Sequence, residues 1–207
     1  MIKFLINSSR ELGIDLNLKN FHNACVDDDR ELVKMMIESS KEFNIDLNAR
    51  DNYGKTAFMR ACISGFTEVI KIIVNSSNKF DIDLNAKQMN YIDEETTFER
   101  YTGYTGFIYA CINGHLEAVK WMIEKHEEFG IDIRRKDLKR KTALDYVNSF
   151  IAGDFYLDAS VDEGLHEVKK LLENEYRKPT HKYNLRSRVR QSKDDELQPV
   201  AKKFKVK

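Results

Sequence analysis

The sequence has no hydrophobic run approaching the ~18 residues needed to cross a bilayer. Its start, Met1-Ile-Lys-Phe-Leu-Ile-Asn7, has only three apolar residues in a row after Lys3. A secretory signal needs roughly 7–15. Secretion and membrane insertion are therefore not expected. Cysteine is also scarce. Cys25, Cys62 and Cys111 each follow an alanine at one recurring position. Such residues read as small buried side chains at tight helix crossings, in a reducing compartment, rather than as disulfides or metal ligands. No phosphate loop, HExxH helix or nucleophile elbow occurs, and the carboxylates are scattered. An enzyme, a cofactor and a small-molecule substrate are not expected.

What the chain does contain is a recurring unit. Its clearest copy is Asp51 to Lys87, DNYGKTAFMRACISGFTEVIKIIVNSSNKFDIDLNAK. The Ala-Cys pair recurs at Ala24, Ala61 and Ala110, and the Ile-Asp pair at Ile14, Ile45, Ile82 and Ile131. The two anchors agree on their shared spacings, 37 and then 49 residues. Within the unit, Asp51 to Gly54 is turn chemistry. Thr56 opens a short helix, Ala57 to Ser64, and Gly65 stops it. A second helix follows from Thr67 to Asn75, with Val69, Ile70, Ile72, Ile73 and Val74 on one broad face. Ile82 to Asn85 is expected to be extended. A helix pair with a finger cannot bury its apolar face alone and must stack on neighbours.

These residues resemble the ankyrin repeat. The second unit matches through Asp51, Gly54, Thr56, Phe58, Ala61, Cys62, Gly65, Glu68, Val69 and Lys71. The third matches through Gly103, Thr105, Phe107, Ala110, Cys111, Gly114, His115, Glu117 and Lys120. The resemblance implies an all-α solenoid of stacked helix-turn-helix units with finger loops. It divides the chain into a half repeat at 1–19, repeats at about 20–50, 51–87, 101–136 and 137–176, an insertion at 88–100, and a tail at 177–207. The richness in Ile, Asn and Lys is similar in style to ankyrin repeat proteins of giant DNA viruses, which implies the cytoplasm or nucleus of a host cell.

Three departures from the family pattern carry structural expectations. The proline after the threonine is absent: TAFM, TGFI and TALD stand in its place. The family's histidine survives only as His22, so its network must be weaker or differently satisfied in the other units. Each unit also carries about four extra residues before the finger (SSKEF, SSNKF, KHEEF), which lengthen the second helix by about one turn. Asp27 to Asp29 replaces the usual glycine turn. It lacks the alternation and closing Glu of a calcium loop and reads as charge at a helix start. Trp121 reads as core or groove wall. His115 and His126 lie too far apart along a helix to share a metal. In the last unit, Thr142-Ala-Leu144 marks the first helix, Phe155 to Gly164 interrupts the pair, and Leu165 to Tyr176 forms the last helix.

The formal charge of zero hides a split. Residues 177–207 carry eleven Lys and Arg against three acids, leaving 23 basic and 31 acidic side chains in the first 176 residues. The tail should be disordered. Its clusters, Lys182, Arg186, Arg188 and Arg190, then Lys202, Lys203, Lys205 and Lys207, fit nuclear import or nucleic-acid contact. The first-unit cap, with Ile2, Phe4, Leu5 and Ile6, either packs inward or meets a partner. The insertion, with Tyr91, Phe98 and Tyr101, is either a binding loop or a decorated surface. The basic finger Arg134-Arg-Lys136 with Lys139-Arg-Lys141 is either a solvated tip or a contact for an acidic partner.

The resemblance implies binding of a protein partner through finger tips and the inner face of the first helices. Carried over by position, the finger candidates are Arg50, Asn52, Tyr53, Lys55, Tyr101, Tyr104, Lys139 and Lys141. The helix candidates are Ile63, Ser64, Ile112 and Asn113. Two alternatives stand beside this scaffold reading: a nucleic-acid or chromatin-associated protein acting through its tail, and an adaptor for a ubiquitin ligase, for which no F-box is recognisable.

Overall fold

The structure is a computed structural model that describes residues 18–89, 103–154 and 159–178. Residues 1–17 of the expected half repeat at 1–19, most of the insertion and the tail beyond Lys178 lie outside them. The helices come in pairs. The first members are α1 (Leu18–Val26), α4 (Ala57–Ser64), α6 (Gly106–Ile112) and α8 (Ala143–Ser149). The second members are α2 (Arg30–Glu38) with its extension α3 (Ser40–Phe43), α5 (Thr67–Phe80), α7 (Leu116–Phe129) and α9 (Ala159–Arg177). First helices pack in one row, α1 on α4 on α6 on α8, and second helices in another, α2 on α5 on α7 on α9. Among the described residues the only strand-like pairing is one isolated antiparallel bridge, Arg50 with Thr56. The all-α solenoid is thus as expected.

Local chemistry sets the helix ends. The threonines cap the first helices without any proline. Thr56 Oγ1 accepts from Met59 N, Thr105 Oγ1 from Ile108 N, and Thr142 forms a reciprocal box with Asp145. This satisfies N–H groups that a helix start leaves unpaired. Gly65 ends α4 at φ 74°. A Cβ there would lie 2.4 Å from the His115 ring, so both the left-handed backbone and the close approach require glycine. In the aspartate triplet, Asp29 Oδ1 accepts from Leu32 N at 3.0 Å, capping α2, while Asp28 takes the turn position at φ 54°.

The core is a column of small and branched side chains between the two rows. Ala61, Cys62, Ala110 and Cys111 are fully buried, as is Cys25, and all three cysteines are free thiols. Burial pushes the Cys25 thiol up to about 12, and the other two are raised by burial with a smaller effect from the neighbouring cysteine. The position that holds His22 in the first pair holds Met59 and Ile108 in the next two, both buried. Apolar packing there replaces the histidine network. His22 Nε2 itself lies 3.0 Å from the Lys55 carbonyl of the following finger. Trp121 is half-buried and stacks on Phe129 at 6.4 Å between centroids.

Several expectations are corrected. The second helices reach Phe80 and Phe129, one turn past Asn75 and its counterpart, but in the first pair Ser39 breaks the run into α2 and α3. The last helix begins at Ala159, not at Leu165. Before it, Phe150 keeps the helical backbone of α8, and Gly153, at φ 89°, turns the chain out of the helix. Leu84 and Asn85 turn rather than extend, because Asp83 Oδ1 accepts from Asn85 N at 2.9 Å. Each of the two histidines meets a backbone carbonyl: His115 Nε2 lies 2.8 Å from the Ile63 carbonyl, and the His126 ring faces Ile123 O.

An asparagine ladder ties successive units together. Asn48 Nδ2 donates to Asp81 O at 2.8 Å, and its Oδ1 accepts from Asp83 N at 2.7 Å. Asn85 repeats this with Gly130 O and Asp132 N, both at 2.7 Å. Each amide therefore closes the exposed end of the next second helix and fixes the next turn. In the last finger Arg134 holds the equivalent position. Its guanidinium donates to Glu175 O at 2.8 Å and Lys178 O at 3.0 Å and lies over the Tyr176 ring at 5.1 Å. A cation suits carbonyls at a helix C-terminus. Arg135 is buried. The solvated-tip expectation fails for these two arginines, whereas Lys136, Lys139, Arg140 and Lys141 are exposed, as either reading of the basic finger requires.

Candidate partner-binding surface

The fingers are built from one local device. Asp51 Oδ1 accepts from the backbone N–H of Tyr53 at 2.8 Å and of Lys55 at 2.9 Å, while Oδ2 accepts from the Arg60 guanidinium on α4. Asp137 does the same in the last finger, accepting from Lys141 N at 2.8 Å and from the Tyr146 hydroxyl on α8 at 2.5 Å. Between them, Gln88 accepts from the Tyr109 hydroxyl on α6 and donates to Tyr53 O at 2.8 Å. Each tip is thus anchored to the residue four places after the helix-capping threonine: Arg60, Tyr109 and Tyr146. Burial alone would raise the Asp51 carboxyl. The backbone bonds and Arg60 outweigh it and hold the group below its usual range.

The fingers also hold one another. Arg50 donates to Gly54 O at 3.0 Å and to Lys87 O at 2.7 Å, and Met89 N donates to Gly54 O at 3.1 Å. A Cβ at Gly54, which sits at φ 69°, would lie 2.4 Å from Met89 O. Only glycine permits that approach.

Aromatic rings and cations alternate above this frame. The Lys55 ammonium lies 5.2 Å from the Tyr53 ring centroid and 5.8 Å from that of Tyr109. The Arg60 guanidinium lies 5.3 Å from Tyr53, and the Lys141 ammonium 5.3 Å from Tyr146. Tyr104 meets Tyr109 and Tyr146 edge-on at 5.3 and 4.7 Å. Burial, and then the Arg60 charge, lowers the Lys55 ammonium below the usual lysine range.

The sequence candidates therefore divide into display and frame. Tyr53 is 50 % exposed at its tip, with Asn52, Lys139 and Lys141 also exposed. Met89 and Leu138, at 58 % and 40 % exposed, directly follow Gln88 and Asp137 and so hold in the next two fingers the place that Asn52 holds beside Tyr53. Lys55 and Tyr104 are half-buried beside the rings. Arg50 is half-buried and spent on carbonyls, so it braces the fingers. Ile63, Ser64, Ile112 and Asn113 are half-buried along the first-helix row, which Val26 continues at 41 % exposed. Tyr101 lies outside the described residues, as do Lys182, Arg186, Arg188, Arg190, Lys202, Lys203, Lys205 and Lys207. Met89, Leu138, Arg60, Tyr109 and Tyr146 were missed. The one available signal was register, four places after each threonine and four before the next, which the insertion obscures in the middle finger.

Among the described residues no three His, Cys, Asp or Glu side chains are grouped to hold a metal ion, and no helix is long and apolar enough to cross a membrane. Comparison with curated proteins returned no match. A family model for ankyrin repeats, in three copies, matches residues 1–88, and an ankyrin repeat model matches residues 102–135. Ankyrin repeats generally mediate protein–protein interaction and are generally scaffolds rather than catalysts. With more than half of its length matched and its helix pairs stacked in two rows, the chain belongs to the ankyrin repeat proteins.

Proposed function

We propose that the chain is a non-catalytic scaffold that binds a protein partner through its finger tips and first-helix face. The observation that carries this reading is the row Tyr53, Met89 and Leu138. Three large side chains stand exposed at the tips of successive fingers, which are fixed by hydrogen bonds to their own helices and to each other. A surface fixed before binding loses little ordering entropy on association. Tyrosine is also among the residues that most often dominate interface energy. The repeat boundaries that organise this surface are about 20–50, 51–87, 101–136 and 137–176, followed by the tail. Its composition favours the ankyrin repeat style of giant DNA viruses and a place in the host cytoplasm or nucleus. The test is the affinity of the chain for a partner recovered from cell extract. Tyr53→Ala with Tyr104→Ala should weaken it by about tenfold or more, in line with hot-spot truncations. Unchanged affinity would move the contact elsewhere.

The tail favours a second reading, contact with nucleic acid. Eleven cations against three acids in 31 residues give binding that ignores sequence and weakens steeply with salt. A chain ending at Tyr176 would lose tail-driven binding and keep scaffold binding.

A further inference from the structure

The charge pattern of the finger surface identifies the chemistry of its partner. The basic groups fall in two places separated by tyrosines. One is Lys55 beside Arg60, in the first described finger. The other is Lys139, Arg140 and Lys141, two fingers further on, exposed and with no ion pair among the described residues. The neighbouring carboxylates are already engaged: Asp51 by Arg60 and two backbone N–H groups, Asp137 by Tyr146 and Lys141 N. They leave the flanking cations with positive potential to offer. Lys55 in particular sits half-buried against Arg60, so an incoming carboxylate would relieve both its lost hydration and that repulsion.

We propose that this surface takes an extended acidic peptide segment, with one acidic group seated on Lys55 and the other on Lys139 and Lys141. This rests on the scaffold reading and names its partner's chemistry. The span follows from packing geometry: neighbouring helices stand 8–10 Å apart, so two units cover about 20 Å, and an extended chain rising ~3.3 Å per residue places the two acids about six residues apart. The residues between them cross Tyr53, Met89 and Tyr104, which offer ring edges and apolar surface. A nucleic acid fits less well. Tyr109 and Tyr146 are buried and present no open face for base stacking. The first 176 residues, with 23 basic against 31 acidic side chains, repel a continuous polyanion.

The test is selection of peptides from a random twelve-residue library on the full chain, followed by fluorescence anisotropy of the winners. Enrichment of Asp or Glu at two positions about six apart is expected. Lys139→Glu with Lys141→Glu should weaken the winners by at least about tenfold, and so should Lys55→Gln, while Lys120→Glu on α7 should not. Far-UV circular dichroism of each variant guards against misfolding, and the exposed Lys139→Glu alone serves if the double variant unfolds. Acidic winners that ignore these substitutions bind the tail and overturn the proposal. Neutral winners lost on Tyr53→Ala with Tyr104→Ala overturn it too, yet leave the scaffold reading in place. No enrichment, or displacement of the winners by an oligothymidine twelve-mer, overturns the acidic-peptide assignment outright.

Discussion

Replacing Asn85 by Ala tests whether the units are coupled through their turns. The side chain donates to Gly130 O and accepts from Asp132 N, both at 2.7 Å. Each bond is worth about 0.5–1.5 kcal/mol net, and a buried group left without a partner costs up to ~3. Gly130 is exposed and can turn to water, whereas the Asp132 amide is part-buried. The expected loss is therefore about 1–2 kcal/mol. With a urea slope of 1–3 kcal/mol/M, the unfolding midpoint should fall by about 0.3–2 M. Asn48 makes the same pair of bonds one unit earlier, at 2.8 and 2.7 Å. Asn48→Ala should cost a similar amount, and the double variant should be additive within about 0.5 kcal/mol, since the two amides share no partner. Equilibrium urea unfolding followed by far-UV circular dichroism measures all three. An Asn85→Ala midpoint equal to that of the parent would refute the ladder as a stabilising device.

Three further outcomes follow from single features. Arg134→Ala should remove about 1–2 kcal/mol from the end of the array, since a charged donor leaves two carbonyls of the last helix; hydrogen exchange should accelerate near 172–177 and stay unchanged in α4. The three buried thiols should resist a thiol-specific disulfide reagent at pH 8, where Cys25, near 12, is thiolate about once in 10⁴ and burial holds Cys62 and Cys111 protonated as well, and all three should react at once after unfolding. Asp51 has a folded value below its unfolded one, so its contribution is complete above the ordinary carboxylate range near 4 and is lost as pH falls through the lowered value. Asp51→Asn should therefore destabilise at pH 7 and converge with the parent in acid; a constant gap down to pH 2 would contradict the assignment.

The helix bodies and caps were legible because their causes are local. Thr56, Gly65 and the apolar stripe of Val69 to Val74 act within a few residues of each other, and α4 falls at Ala57–Ser64 as expected. The early start of α9 was hidden by Asp158 to Gly164, whose polarity reads as a loop. What sequence periodicity missed is long-range and polar. Arg134 reads as a surface cation until the end of α9, 41 residues on, is placed over it. The Gln88–Tyr109 and Asp137–Tyr146 pairs need the finger to fold back on its helix. The buried polar residues Ser40, Ser77 and His126 recur five places before each Ile-Asp pair, a register visible only once the second helix is known to run past them. Tyr53 was recognised as a tip residue because it lies in a turn. Met89 was not, because the insertion begins beside it.

The central claim is that the finger row is where a partner sits. Its most direct test is site-specific photocrosslinking, with benzoylphenylalanine introduced at position 53 or, as control, at position 120 on the second-helix row. The account predicts that the finger site crosslinks one protein, at a peptide rich in Asp or Glu, and that the control crosslinks nothing in common. Crosslinking of that protein from position 120 and not from position 53 would contradict it.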